Sequence, residues 1–146
     1  MKPRTRARSI ALQALYEIDL TGHLPEIVLD ERFSENPLED SLVEFARQIV
    51  FGILPIVSEL DEIIAKHAPE WPLDQVATID RNILRIALWE IAISNQTPLK
   101  VAINEAVELG KVFGSESTPR FVNGVLGSLA LHQHDIIQTI KTHSHT

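Results

Sequence analysis

No cysteine occurs among the 146 residues. That excludes a disulfide scaffold, a thiolate zinc site, an iron–sulfur cluster and a thiol nucleophile. Aromatic residues are scarce, at 5%, with a single tyrosine. No apolar run approaches the roughly 18 residues of a membrane span. The basic start is followed by an amphipathic stretch with Glu17 and Asp19 and no small-residue cleavage site, unlike a secretory signal. These absences predict a soluble, cytoplasmic protein with no membrane association. There is also no glycine-rich phosphate loop, no G-x-S-x-G elbow and no HExxH helix. His132/His134 and His143/His145 are each two residues apart, a spacing that does not put a pair on one helical face. His23 and His67 have no evident partner. The sequence therefore predicts no metal site, no cofactor and no assembled catalytic set, and the chain reads as a binding protein, not an enzyme.

The hydrophobic fraction is 45% and the charged fraction 23%, values of a globular chain. The length suits one compact domain or two small helical subdomains. The net charge of −7 is unevenly spread. Residues 1–16 carry Lys2, Arg4, Arg6 and Arg8 and no acid, whereas residues 17–80 hold 15 acids against Arg32, Arg47 and Lys66. Screening limits each patch to a reach of about 8 Å at physiological salt. A local basic end can thus bind phosphate on an acidic protein, and the acidic stretch suits a basic protein partner. The blander alternative is a solvated terminus and a solubilising surface.

Helical spacing recurs along the chain and no segment alternates as a strand, so the fold class is all-α. A first helix is expected over Thr5–Leu20, stopping at Gly22, with Ala7, Ala11, Ala14, Leu15 and Ile18 on one stripe. Arg6, Ser9, Gln13 and Tyr16 share its other face, a surface suited to single-stranded RNA through phosphate–arginine contacts and base stacking. A short helix follows near Pro25–Phe33. Another begins near Pro37–Leu38, is interrupted by Pro55, and resumes to Ala68–Pro69. Pro69 and Pro72 around Trp71 mark the expected boundary between halves, about 1–70 and 71–132.

The next helix spans about Thr78–Ser94. It is apolar on two sides, Leu84, Ala87, Leu88 and Ile91 against Ile86, Trp89 and Ile93, as expected of a central bundle helix or one that touches a partner. Thr97-Pro98 reads as a cap and first position of a helix ending at Phe113–Gly114. Its Glu105 projects to the apolar side, with Arg85 as the candidate partner. The last clear helix opens at Thr118-Pro119 with Phe121, Val122, Val125, Leu126 and Leu129 as its core stripe. Gly124 and Gly127 inside it predict close approach of another backbone. Residues 131–146 are expected to fray.

Three segments carry a family pattern: RARSIALQALYEID at 6–19, VATIDRNILRIALWEI at 76–91 and PLKVAINEAVELGKVFGSESTPRFVNGVLGSL at 98–129. In order and spacing over roughly residues 4–130, the chain closely resembles the NusB family of bacterial transcription antitermination factors. The resemblance implies two three-helix subdomains packed as one compact helical bundle. It implies binding of single-stranded boxA RNA in nascent ribosomal leaders, jointly with NusE, a small-subunit ribosomal protein, and association with elongating RNA polymerase and other Nus factors. By position, Lys2, Arg4, Arg6, Arg8, Gln13 and Tyr16 match one RNA-contacting region, and Ser117, Arg120 and Asn123 the other. Tyr16, Asp74 and Asp80 match the NusE-facing surface. Gly110 stands where alanine is usual, and Ser117 and Thr118 where acids are frequent.

The same resemblance leaves two other readings. Similar domains begin certain ribosomal RNA cytosine methyltransferases, although no βαβ cofactor segment follows here. Some family members form homodimers that mask the RNA face, which the two-sided helix with Trp89 would also fit.

Overall fold

The computed structural model describes residues 1–68 and 75–144, side chains of 141–144 excepted. Among the described residues there are helices and turns and no strand, and no helix is long and apolar enough to cross a membrane. Contacts divide the chain into two compact units, Met1–Pro55 and Ile56–Thr146.

The first unit comprises α1 (Pro3–Thr21), α2 (Pro25–Glu35) and α3 (Asp40–Ile53). Pro3 opens α1 at a position where a missing N–H is harmless. Gly22 closes it in the left-handed conformation (φ 73°), its N–H bonding Ile18 O, a geometry that glycine adopts without a Cβ clash. Ala7, Ala11 and Ala14 are fully buried. Their small size lets α1 lie close along α3, whose Phe45, Ala46, Ile49, Val50 and Ile53 supply the facing apolar stripe. Val28 and Leu29 of α2 complete this core. Each fully buried large aliphatic contributes about 1.5–3 kcal/mol.

A polar network also ties α1 to α2. Arg32 donates to Gln13 Oε1 (3.1 Å) and to Glu17 Oε1 (3.1 Å). The other oxygen of Glu17 meets His23 Nδ1 at 3.0 Å, so His23 has the partner that its sequence context did not reveal. The His23 bond first, and then Arg32, hold the Glu17 carboxyl below its ordinary range.

Pro55 lies in a 3-10 turn, Leu54–Ile56, where its lost hydrogen bond is tolerated. The second unit contains α4 (Val57–His67), α5 (Thr78–Trp89), α6 (Leu99–Phe113), α7 (Thr118–Leu131) and α8 (Gln133–Ser144). α4 packs on α5 and α7. Contacts therefore draw the division at Pro55, upstream of the boundary expected near residue 70; the Pro69–Trp71–Pro72 signal lies outside the described residues.

α5 is the centre of this unit. Ile83, Leu84, Ile86, Ala87, Leu88 and Trp89 are all buried, against α4, α6 and α7. Most of the two-sided apolar pattern is thus consumed internally, Trp89 included at 7% exposed, while Ile93 stays exposed at 37%. Arg85 pairs with Asp61 of α4, through Nε (2.8 Å) and Nη2 (2.7 Å), and also donates to Asn82 (3.1 Å). A fork-shaped guanidinium suits such two-point pairing.

α5 continues as one π turn, Glu90–Ser94, that ends at Asn95 with φ 50°. Glu90 is 1% exposed and accepts a bond from the Thr97 hydroxyl (3.1 Å). Thr97 is therefore a buried tie to α5 and not the cap of α6, whose cap position is Pro98.

Two glycine expectations are reversed. A Cβ at Gly124 or Gly127 would meet nothing within 4 Å among the described residues. The tight places are Gly110 and Gly114, where a Cβ would lie 3.0 Å and 2.5 Å from the Thr118 side chain. Residues expected to fray form α8 instead, Gln133–Ser144, which buries Ile136 and Ile140 and packs on α7 and the π turn.

Candidate nucleic-acid interface

The first turn of α1 contains no acid. Lys2, Arg4 and Arg6 are exposed there, and none forms an ion pair among the described residues. The positive end of the helix dipole adds to their field instead of offsetting it. Arg4 lies 4.1 Å over the Phe45 ring, so its guanidinium is located by a cation–π contact and still faces solvent.

Arg8 departs from the expected surface role. It is 3% exposed, with its guanidinium 5.1 Å from the same Phe45 ring. One turn after Arg4, it points along the stripe that packs on α3. Its burial against Phe45 packs this end of α1 onto α3.

Farther along α1, Ser9 is buried and donates to Arg6 O (2.7 Å). Gln13 is half-buried; its amide nitrogen donates to Ser9 O (3.2 Å) and its oxygen accepts from Arg32. Tyr16 is exposed, about 15 Å along the axis from Arg6 at 1.5 Å per residue. The expected face is therefore discontinuous: cations at one end, the ring at the other, and anchored polar groups between.

In the second unit, Ser117, Arg120 and Asn123 are all exposed at the opening of α7. Ser117 Oγ lies 3.1 Å from Ser115 Oγ. The three residues recur at a spacing of three, so they share one helical face. Beside them lies a groove of about 670 Å³, with His67, Asp80, Ser117, Arg120 and Phe121 among its lining residues. Phe121, expected in the core, is half-buried at this groove. The alternation of Arg120, Phe121 and Asn123 is the sequence signal that could have placed it there.

Asp80 corrects a second expectation. It is not openly exposed as a surface acid would be, but only 9% exposed. It accepts a bond from the wholly buried Thr118 hydroxyl at 2.9 Å. Thr118 Oγ1 in turn accepts from Ser115 N (2.9 Å). Burial pushes the Asp80 carboxyl above its ordinary value, against the smaller opposing effect of the Thr118 bond. Asp74, its expected companion, lies outside the described residues.

Among the described residues no group of three or more His, Asp or Glu side chains converges on one point. The first unit offers exposed cations and a stackable ring, and the second offers a cation and hydrogen-bonding groups beside a groove. Those are means of binding a nucleic acid strand.

The sequence model of the NusB family matches residues 5–131. The transcription antitermination protein NusB of Dehalococcoides mccartyi (strain CBDB1) is 50% identical over 127 residues, covering 87% of this chain and 89% of that protein. The structure of T. maritima NusB superposes with a TM-score of 0.79 at 30% identity, covering 94% of this chain and 92% of that one. A structure of the antitermination factors NusB and NusE in complex with dsRNA gives a TM-score of 0.79 at 28% identity, covering 95% and 98%.

Proposed function

The chain belongs to the NusB family, and from that footing we propose that it is an RNA-binding transcription antitermination factor that acts with NusE and catalyses no reaction. The RNA is the boxA element of nascent ribosomal leaders, held single-stranded. The complex joins elongating RNA polymerase with other Nus factors, in the cytoplasm. The observation that carries the reading is the cluster of exposed cations Lys2, Arg4 and Arg6, without an ion pair among the described residues, at the positive end of α1.

Each element has a task in this reading. Lys2, Arg4 and Arg6 neutralise phosphates and release counterions, which supplies affinity without sequence information. Arg120 adds a phosphate contact, while Ser117 and Asn123 hydrogen-bond base edges. Tyr16 serves as a stacking platform and borders the NusE-facing surface, to which Asp74 contributes charge. Gln13 contributes by fixing this face of α1 through Arg32. Asp80 acts indirectly, by holding Thr118 at the start of α7.

Four phosphate contacts to a single strand give a log–log salt slope near about −3. Fluorescence anisotropy with boxA-like and scrambled RNA, each with and without NusE, tests the proposal. Tighter binding of the boxA-like strand, strengthened by NusE and weakened by salt, is the expected result. Equal affinity for both strands with NusE present overturns it.

A further inference from the structure

Two histidines that the RNA-binding reading leaves unused meet in the second unit. His67 ends α4 and His132 follows the last residue of α7. Their ring centroids are 5.2 Å apart and their planes are tilted by 43°. His67 Nδ1 lies 3.2 Å from Ser128 Oγ. This bond occupies one ring nitrogen and leaves Nε2 available, the arrangement by which a hydroxyl or carboxylate orients a metal-binding histidine.

The spacing has a geometric meaning. Two imidazoles bound to one tetrahedral ion at nitrogen–metal distances of about 2.0–2.1 Å hold their centroids about 5 Å apart. His67 is half-buried. His132 is exposed, so an ion can reach the pair from solvent with water in the remaining coordination positions.

We propose that His67 and His132 form a two-histidine site for a tetrahedral divalent transition metal, Zn2+ in the first instance, which clamps the end of α4 to the end of α7. Imidazole ligands and a tetrahedral spacing select Zn2+ over Mg2+ or Ca2+, which take oxygen ligands in larger number.

Isothermal titration of the full chain with Zn2+ alone, alongside thermal unfolding, tests this. The expected result is one saturable site per chain and a melting temperature that rises with Zn2+ and not with Mg2+. His132→Ala, on an exposed residue, lowers the affinity at least tenfold and removes the thermal shift, and His67→Gln does the same. Ser128→Ala weakens binding about tenfold by freeing the His67 ring. Substitution of His143 and His145 by alanine leaves the site intact. The proposal fails if Zn2+ gives no saturable binding, in which case the two rings only stack. It fails equally if binding survives His132→Ala and disappears with the His143/His145 double substitution.

Discussion

The Thr118 hydroxyl donates to Asp80 Oδ1 across 2.9 Å, joining the first residue of α7 to the first turn of α5. Ser115 N closes on the same hydroxyl oxygen, and Gly110 and Gly114 leave room for the threonine side chain. The exposed Ser117 and Arg120 flank this knot, so their placement depends on a buried hydroxyl and two missing methyl groups.

Thr118→Val keeps the side-chain shape and deletes the hydroxyl. It leaves a buried carboxylate and the Ser115 amide without their partner, a loss of about 1–3 kcal/mol. Urea unfolding with an unchanged m-value measures it; a midpoint equal to the parent's would remove the knot from the account.

Asp80 titrates at a higher pH in the folded chain than in the unfolded one, whose ordinary value is 3.8. The folded state therefore binds more protons in the interval above 3.8, and stability falls as pH rises through it. Asp80→Asn can still accept the Thr118 bond but carries no buried charge. Its stability relative to the parent improves between about pH 4 and about pH 7, as denaturant midpoints at the two pH values will register. A gap that stays constant contradicts the assignment.

Arg6→Ala and Arg8→Ala separate binding from packing. The Arg6 change weakens all RNAs alike and reduces the magnitude of the salt slope by about 0.7, with the melting temperature unmoved. The Arg8 change lowers stability by about 1–2 kcal/mol through lost packing and cation–π contact with Phe45, and leaves the salt slope in place. Calorimetry with salt-dependent anisotropy distinguishes the two. A reversed pattern would return Arg8 to the ligand surface.

Tyr16→Ala costs about 1–3 kcal/mol of RNA affinity if a base stacks on the ring. Binding measured without NusE isolates this effect, and an unchanged constant assigns Tyr16 to the protein partner alone.

Gly114→Ala forces a methyl group into the Thr118 side chain and destabilises by about 1–3 kcal/mol. Gly127→Ala, on an open face of α7, gains up to about 1 kcal/mol from helix propensity. Thermal denaturation of both variants ranks them; equal effects would mean that the α6–α7 contact is looser than its geometry.

The helical pattern was legible because the apolar stripes have one period, and because Gly22, Pro55 and Gly114 punctuate it. The family segments carried the second unit's order through α7. Partner choice was not legible. Arg85 had Glu105 as its apparent counterpart, yet α4 brings Asp61 within 2.8 Å, a pairing across 24 positions that no local spacing encodes. Arg8 and Asp80 were misplaced for a related reason: a charged residue type signals exposure on average, whereas a ring such as Phe45 or a hydroxyl such as Thr118 can draw the charge inward. The glycines misled because helix propensity tells where glycine is unfavourable and not which neighbour requires it.

α8 lies beyond residue 131, where the family match stops, yet Ile136 and Ile140 are as sheltered as many residues inside the match. Trimming the chain to the matched span would strip a lid from the π turn and leave oily surface bare to solvent. Such a fragment would be expected to self-associate in the test tube, and an RNA-binding failure measured on it would report the damage done by the scissors.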